Sequence, residues 1–155
     1  MDFDKHSVVI RAVMSADFDR ITQLEKDIFS EPWSKESLRQ FCEQDKCSEG
    51  YVCTIGDLII GYAFVWIVMD ELHIANIAVD GQYRGKGIGR ILMEFILHRG
   101  KEAGAVSVYL EVRASNHRAI NLYSSLGFQF SGIRKNYYSH PCEDAIIMSK
   151  ELQGA

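Results

Sequence analysis

Several residue types that would define other classes of protein are scarce in this sequence. Its four cysteines contain no C-x-x-C pair, and their spacing fits neither a zinc finger nor a disulfide scaffold, so we expect buried or half-buried reduced thiols. Only two prolines are present, and no segment is typical of a linker. The longest apolar run, Leu58 to Met69, has 12 residues, whereas a membrane-spanning helix needs about 20. We therefore expect no membrane span.

Basic residues do not outnumber acidic ones. The 17 Lys and Arg against 21 Asp and Glu give a formal net charge of -4, which argues against direct nucleic-acid binding by the whole surface. The N-terminal segment MDFDKHS is acidic and lacks an apolar core, so we expect no signal peptide and a cytoplasmic protein. With 155 residues, 47% of them hydrophobic, the chain can build one core, and we predict a single domain over residues 1–155.

The pattern of apolar residues predicts a mixed α/β domain. Val8 to Val13 is strand-like, and two helices follow, capped by Ser15 and Ser34, the second ending near Gln44. Three strands with a tight turn come next, then a helix that ends at Gly104, a strand, a helix and a final hairpin. The order β-α-α-β-β-β-α-β-α-β-β predicts an α/β (α+β mixed-sheet) fold with helices on both faces of a mostly antiparallel sheet.

The stretch YRGKGIGR, residues 83–90, combines alternating glycines with basic residues between a strand and a helix. Backbone N–H groups that are unpaired at the start of a helix bind anions such as phosphate. A Walker A motif is excluded because Lys86 is followed by Gly87 and not by Ser or Thr. The dinucleotide-binding fingerprint has different glycine spacing and requires a βαβ unit. From the residues alone, the alternative is a flexible loop with basic flanks.

The pattern R-x-x-G-x-G in this loop resembles the pyrophosphate loop of the GCN5-related N-acetyltransferase (GNAT) superfamily. The downstream segment LEVRASNHRAINLYSSLGF, residues 110–128, resembles the second signature of the same superfamily. Further segments resemble a bacterial subfamily that acetylates the N-terminal alanine of small-subunit ribosomal protein eighteen, namely FSEPWS, NIAV, RKNYY and EDAIIM. The resemblance extends over nearly the whole chain.

The resemblance implies a GNAT fold, acetyl-CoA as cosubstrate without a metal, and the N-terminal peptide of a ribosomal protein as partner. It implies that Glu111 is the general base and Tyr123 the general acid. The residues that it implies for cofactor binding are Ile77, Ala78, Val79, Arg84, Gly85, Lys86, Gly87, Ile88, Gly89, Arg90 and Asn116. Those that it implies for substrate binding are Trp33, Arg134, Tyr137 and Tyr138. Gly81 departs from many relatives, which have proline there. We expect a monomer or weak oligomer.

Each of these residues also has a structural interpretation. In VSVYLEV, strand alternation places Val106, Val108, Leu110 and Val112 on one face, so Glu111 on the other face could simply face solvent. Tyr123 could pack in the core, and Trp33 could be a core tryptophan. The five histidines have no metal-ligand spacing and are expected to be exposed or locally satisfied. Alternative functions are acetylation of lysine side chains, other N-termini or small amines, or non-catalytic binding of acyl-CoA.

Overall fold

One mixed sheet organises the computed structural model, which describes residues 7–43 and 47–152. Its seven described strands are, in chain order, β1 (Val8–Ala12), β2 (Ser48–Ile55), β3 (Leu58–Val68), β4 (Glu71–Val79), β5 (Ser107–Arg113), β6 (Gln129–Ser139) and β7 (Cys142–Glu151). Their spatial order is β1-β2-β3-β4-β5-β7-β6. All neighbouring pairs are antiparallel except β4 with β5, which is parallel. The predicted mixed, mostly antiparallel sheet is thus confirmed.

Helices cover both faces of this sheet, as predicted. The described helices are α1 (Phe18–Ile28), α2 (Lys35–Cys42), α3 (Ile88–Glu102) and α4 (His117–Ser125), with short 3-10 turns at Ser15–Asp17 and Gly81–Tyr83. Helices α1 and α2 bury one side chain cluster that includes Ile21, Leu38 and Phe41. Helices α3 and α4 contribute Leu92, Ile96 and Tyr123 to the cluster on the opposite face. Both clusters lie over the central strands.

The start of α1 differs from the prediction that Ser15 caps it. Ser15 lies instead in the 3-10 turn, and α1 begins at Phe18. The carboxylate of Asp17 explains this difference, because it accepts a hydrogen bond from the backbone N–H of Met14 at 2.8 Å. It also accepts two hydrogen bonds from the Arg11 guanidinium, at 2.7 and 2.9 Å. An ionised acceptor competes better for these donors than a hydroxyl does.

Other predicted boundaries agree more closely with the structure. The Ser34 hydroxyl oxygen accepts a hydrogen bond from the Ser37 backbone N–H at 3.2 Å, which confirms this cap. Helix α2 ends at Cys42, and the predicted end near Gln44 lies outside the described residues. Gly104 follows the end of α3 with a φ of 87°, a conformation that suits glycine.

One residue of the predicted β5 strand lies outside it. Strand β5 begins at Ser107, and Val106 is 54% exposed although it was placed on the buried face. The Val106 backbone N–H donates to the Asp70 carbonyl oxygen at 2.7 Å, which ties it to the turn before β4 and not to the core. The remaining apolar residues of that face, Val108, Leu110 and Val112, are buried as predicted.

Two of the four cysteines differ from the prediction in their burial. All four lie within the described residues and are free, as predicted. Cys42 and Cys53 are buried, but Cys47 and Cys142 are exposed because they lie just before the start of β2 and in the β6–β7 hairpin, so the predicted burial is wrong for these two. Burial raises the pKa of the Cys53 thiol to about 11, so it is unreactive at neutral pH. In the described ranges, no helix has the length and apolar character to cross a membrane.

Candidate active site

The sheet opens between β4 and β5. These two parallel strands pair only from Glu71 with Ser107 to Ile74 with Leu110. Beyond this point β4 continues along β3 as far as Val79, while β5 continues along β7 as far as Arg113. The two strands therefore diverge, and within residues 7–43 and 47–152 no strand pairs with their facing backbone edges in the gap.

The backbone of β4 presents hydrogen-bonding groups to this gap. The Asp80 N–H donates to the Ile60 carbonyl oxygen at 2.8 Å, so it points toward β3. Because backbone groups alternate in direction along a strand, those of Val79 and Ile77 point the other way, into the gap. The Ala78 side chain is buried and those of Ile77 and Val79 are half-buried. The backbone groups of Ile77 and Val79 can therefore contact a ligand in the gap, whereas those of Ala78 point toward β3.

A glycine-containing turn leads from β4 to α3 at the end of this gap. Gly85 and Gly87 have φ values of 76° and 83°, which side chains with a Cβ rarely adopt. Gly87 is the N-cap residue of α3, and the N–H groups of the following turn point toward solvent at the positive end of the helix dipole. The turn therefore has the geometry of an anion site.

The side chains of this turn divide into anchors and exposed residues. Ile88 is 1% exposed and packs in the core, so only its backbone can contact a ligand. The Arg90 guanidinium donates to the Ser125 hydroxyl at 2.5 Å, which links α3 to α4. Arg84 and Lys86 are exposed beside the turn, where cationic side chains can approach phosphate groups.

Entry to the turn is held by Asp80. Its carboxylate accepts from the Gln82 N–H at 3.0 Å and pairs with Arg20 of α1 at 3.0 Å. A Cβ built at Gly81 would meet no atom within 4 Å, so the structure accommodates larger residues at this position. Glycine in place of proline at position 81 therefore leaves the hydrogen bond and ion pair of Asp80 intact.

Glu111 lies on β5, one residue beyond the last position that pairs with β4. Its Oε2 atom is 2.7 Å from Nε2 of His73, and its Oε1 atom is 3.4 Å from Nε of Arg134. The side chain is 10% exposed. Burial raises the pKa of Glu111, but the hydrogen bond with His73 and the positive charges outweigh burial, so its pKa lies below the ordinary value. Glu111 is thus ionised at neutral pH.

Tyr123 of α4 is 7% exposed and packs against Phe128 with ring centroids 5.9 Å apart. The predicted burial is therefore confirmed, and it does not exclude a chemical role. Burial, together with the nearby Tyr138 hydroxyl, raises the pKa of Tyr123 to about 12. Such a phenol stays protonated and serves as a hydrogen-bond donor.

Asn116 is the N-cap residue of α4, and its Oδ1 atom accepts from the Ala119 N–H at 3.2 Å. This bond occupies the amide oxygen and fixes the orientation of the side chain. The predicted contact of Asn116 with the cofactor would then use the Nδ2 group, which is a donor.

Trp33, one of the aromatic residues predicted to contact substrate, lies on the α1–α2 side of the sheet. Trp33 stacks on Trp66 with centroids 6.4 Å apart, and Trp66 in turn stacks on His73 at 5.4 Å. His73 stacks on Tyr109 at 4.3 Å with an interplanar angle of 8°. These four rings form one row that leads from the α1–α2 loop to Glu111, so Trp33 belongs both to the core and to the wall of the site.

The β6–β7 hairpin is joined to the α1–α2 loop by a polar network around Arg113. The Glu31 carboxylate accepts from the backbone N–H groups of Ser139, at 2.6 Å, and His140, at 2.5 Å. Arg113 pairs with Glu31 at 3.4 Å and with Glu143 at 3.2 Å. Its guanidinium also lies 4.3 Å from the centroid of the Tyr138 ring. The two loops thus form one connected wall.

Comparison with known proteins agrees with this geometry. A family model for the acetyltransferase (GNAT) family matches residues 18–128. The chain is 37% identical over 142 residues to the ribosomal protein bS18-alanine N-acetyltransferase of Salmonella typhimurium, covering 90% of this chain and 95% of the relative. The chain belongs to the GNAT acetyltransferase family.

Solved GNAT structures show the same architecture. The crystal structure of the ribosomal-protein-S18-alanine N-acetyltransferase from Escherichia coli has a TM-score of 0.88 and 34% identity, covering 96% of each chain. Arabidopsis thaliana NAA60 in complex with acetyl-CoA has a TM-score of 0.86 at 19% identity, covering 95% of this chain and 99% of that protein. The predicted GNAT fold is therefore confirmed.

The family match covers part of the site. Residues 18–128 include the gap, the glycine turn, Glu111 and Tyr123, but Arg134, Tyr137 and Tyr138 lie beyond them. Arg134 pairs with Glu111, and proximity to Glu111 adds to burial in raising the pKa of Tyr137 and of Tyr138. These three residues therefore border the same end of the gap.

Three polar groups at this GNAT site were not singled out from the sequence. His73 pairs with Glu111, Arg113 joins the two loops, and Glu25 is a buried carboxyl behind Trp33. The only sequence signal for His73 is its position on β4, six residues before Val79. Within residues 7–43 and 47–152 no group of three His, Cys, Asp or Glu side chains could hold a metal, and His6 lies outside them.

Proposed function

We propose that this chain transfers the acetyl group of acetyl-CoA to the N-terminal α-amino group of a protein, namely the alanine of ribosomal protein bS18. The observation that carries the proposal is the gap between β4 and β5, with an anion-binding turn at one end and Glu111 at the other. The named activity of the Salmonella and Escherichia coli relatives supports the choice of substrate. Because ribosomal proteins are made and assembled in the cytoplasm, we place the reaction there.

The gap fits acetyl-CoA in three parts. The turn from Gly85 to Arg90 offers backbone N–H groups and the α3 dipole to the pyrophosphate. The pantetheine arm contains amides and would bond to the free backbone edge of β4 as an added strand does. Asn116 would contact the arm near its thiol end. The thioester would then lie beside Glu111 and Tyr123, where the strands begin to diverge.

An α-amine needs little help to react. Its reference pKa is about 7.7 to 8.0, so roughly a tenth or more is neutral at pH 7. A lysine amine, with a reference pKa of about 10.4, costs about 3 kcal/mol more to deprotonate. Glu111, acting through an ordered water, is the proposed proton acceptor, and it demands far less of an α-amine than of a lysine side chain.

Val79 and Tyr123 would stabilise the charge that develops on the thioester. The Val79 N–H points into the gap and would donate to the carbonyl oxygen in the transition state. Full proton transfer from Tyr123, with a pKa of about 12, to a thiolate near 8.5 is uphill by about 5 kcal/mol. Tyr123 therefore acts as a hydrogen-bond donor to the departing thiolate, and the proton itself comes by another route.

The wall formed by the two loops would receive the substrate peptide. Trp33, Tyr137 and Tyr138 supply apolar area with polar groups at fixed positions, and Arg134 lies at the Glu111 end. An open groove of about 860 Å³ continues from Tyr109 and Arg134 along β5 and β7, with room for residues that follow the acetylated one.

Mass spectrometry of synthetic peptides tests this function. One peptide carries the bS18 N-terminal sequence starting with Ala, and a matched peptide has the same sequence with a blocked α-amine and one lysine. We expect a gain of one acetyl group on the first peptide only, dependent on acetyl-CoA. Acetylation of only the blocked peptide would contradict the proposal and support a lysine acetyltransferase.

The Glu111→Gln variant tests the role of the carboxylate. Gln is nearly isosteric and removes the negative charge, so we expect kcat to fall about 100-fold or more. Binding of acetyl-CoA, measured by calorimetry, should be retained because the turn and β4 are unchanged.

If neither peptide is acetylated by the wild type but acetyl-CoA binds tightly, the chain is a binding module and not an enzyme.

A further inference from the structure

We propose that His73 and Glu111 form one proton-accepting pair, in which Nδ1 of His73 takes the proton of the substrate ammonium while Glu111 holds the Nε2 side of the ring. This inference rests on the proposed function, because a proton acceptor is needed only if an amine is acetylated. It refines the general-base role proposed above for Glu111: the histidine receives the proton, and the carboxylate orients the ring and stabilises its charge.

The geometry of the pair is well defined. Nε2 of His73 lies 2.7 Å from Oε2 of Glu111, and the two side chains are 17% and 10% exposed. The register of the parallel strands places His73 opposite Tyr109, so Glu111 is the next β5 residue on the same face. Stacking on Tyr109 and on Trp66 fixes the plane of the imidazole ring. Both rotation and reach of the ring are thus restricted.

The hydrogen bond with Glu111 selects the tautomer of the neutral ring. Ionised Glu111 can only accept hydrogen bonds, so Nε2 must carry the hydrogen. The lone pair of the neutral imidazole then lies on Nδ1. Among the residues that the structure describes, no side chain or backbone group forms a hydrogen bond with Nδ1 of His73. No donor among the described residues therefore competes for the basic lone pair of Nδ1.

Glu111 alone is poorly suited to accept a proton from the substrate amine. One of its oxygens is bonded by His73 and the other lies 3.4 Å from Arg134, and both contacts stabilise the ionised form. General bases work best when their pKa is near the pH of the reaction, and the contacts of Glu111 move its pKa away from neutral pH. Other ionisable groups that face the pair are Glu71 on β4, Tyr109 on β5, and Tyr137 and Tyr138 on β6.

The proton balance of the reaction is closed by this pair. The lone pair of Nδ1 takes one proton from the ammonium, and the carboxylate of Glu111 stabilises the resulting imidazolium. The free amine attacks the thioester carbonyl, the C–S bond breaks, and the second amine proton ends on the thiolate sulfur to give the thiol. The imidazolium then releases its proton to water. No oxidant, reductant or further reactant is required.

The alternative is a purely structural role, in which His73 only packs between Trp66 and Tyr109. The His73→Gln variant separates the two interpretations, because the Gln side-chain amide can still donate to Glu111 but has no lone pair in the place of Nδ1. We expect kcat/KM for the Ala peptide at pH 7.5 to fall roughly 100-fold. A packing role would lower stability but would leave the pH dependence of the remaining activity unchanged.

The pH at which log kcat/KM stops rising, measured from pH 5 to pH 9, is the deciding readout. In the wild type, the neutral imidazole takes the proton of the bound ammonium, so imidazole and amine together lose only one proton. The slope at low pH should be about 1, and the rise should end below the reference pKa of the α-amine, about 7.7 to 8.0. In His73→Gln the slope should also be about 1, but the amine must lose its proton to solvent, so the rise should continue to about pH 8. The matched control is His98→Gln, an exposed histidine that pairs with Glu102 on α3 at 3.6 Å, which should keep the wild-type profile.

A ligand-free measurement makes the inference independent of the activity. Long-range proton–nitrogen NMR spectra of the wild type at pH 8 should show His73 as the Nε2–H tautomer, assigned by its loss in His73→Gln. A rise that ends at the same pH in His73→Gln as in the wild type, or an Nδ1–H tautomer in the wild type, would overturn the inference while leaving the proposed acetylation intact. Absence of acetylation by the wild type with the predicted tautomer present would instead overturn the proposed function.

Discussion

Replacing Glu25 tests what holds the peptide side of the site in place. Glu25 lies on α1, is 1% exposed, and accepts three hydrogen bonds. Its Oε1 atom accepts from the Tyr62 hydroxyl at 2.6 Å and from Nδ2 of Asn76 at 2.8 Å. Its Oε2 atom accepts from the Trp33 backbone N–H at 2.8 Å. One carboxyl thus joins α1, β3, β4 and the α1–α2 loop.

The expected loss of stability in Glu25→Ala follows from the buried donors that lose their hydrogen-bond acceptor. A buried donor without a partner costs about 1 to 3 kcal/mol, and Glu25→Ala leaves three such donors beside a cavity. Rotation of the Tyr62 hydroxyl and entry of water recover part of this cost, so we expect a loss of about 3 to 5 kcal/mol in the free energy of unfolding. Glu25→Gln keeps one acceptor oxygen but turns an N–H group toward at least one donor, and should cost about 1 to 3 kcal/mol.

Urea denaturation followed by tryptophan fluorescence measures these costs, since Trp33 and Trp66 lie next to the network. Glu102→Ala is a suitable control, because Glu102 is exposed on α3 and its loss should change stability by less than about 0.5 kcal/mol. Substrate kinetics on the folded fraction of Glu25→Gln should show a higher KM for the peptide. A loss of less than about 1 kcal/mol in the free energy of unfolding for Glu25→Ala would refute the reasoning, because three unpaired buried donors should destabilise the fold by more than this.

Three further predictions concern the cofactor, the thiolate and acid stability. Tyr123→Phe should lower kcat by about 100-fold without changing acetyl-CoA affinity, and an unchanged kcat would exclude the donor role. Gly87→Ala forces a Cβ into a positive φ, which costs roughly 1 to 2 kcal/mol; calorimetry should show the Kd for acetyl-CoA rise by about 5- to 30-fold, whereas Gly81→Ala should bind as the wild type does. The Arg11 hydrogen bonds lower the pKa of Asp17 in the folded state, so its stabilisation is complete above the ordinary Asp pKa of about 4 and is lost as the pH falls through the lower folded value. Asp17→Asn should therefore flatten the stability curve below pH 4 in denaturation experiments, and an unchanged acid slope would contradict this assignment.

The parts of the site that local sequence determines were predictable. A glycine that must adopt positive φ at a helix start, such as Gly87, is visible in the sequence because no tertiary contact is needed to require it. Strand alternation likewise placed Glu111 on the face opposite to Val108 and Leu110, and the structure agrees. The roles of Glu111 and Tyr123 came from family resemblance, and they stay predictions until variants are measured.

The missed groups depend on contacts between distant parts of the chain. His73 and Glu111 are 38 residues apart, and Glu31 and Ser139 are 108 residues apart. Which of these side chains meet depends on strand order and register, and the apolar pattern does not specify either. The start of α1 was missed for a similar reason, because the hydrogen bonds of Asp17 with Arg11 of β1 depend on how the chain folds back.

The gap itself has an identifiable cause in the neighbouring strand pair. Between β3 and β4, Phe64 pairs with Asn76 and Val65 pairs with Ile74, so Ala75 has no opposite residue and forms a β-bulge. A bulge bends its strand and increases the local twist. The bend occurs directly after Ile74, the last β4 residue that pairs with β5. The bulge thus turns β4 away from β5 at the residue where the active-site gap begins.

Glu25 connects this bend to the substrate wall. The residue after the bulge, Asn76, donates to the same carboxyl that receives the Trp33 N–H. A displacement of the Trp33 loop would therefore be transmitted to β4 at the bulge, and from there to the backbone of Ile77 and Val79 that faces the gap. The cosubstrate edge and the peptide wall are thus held by a single buried side chain, so its replacement should weaken binding of both substrates together.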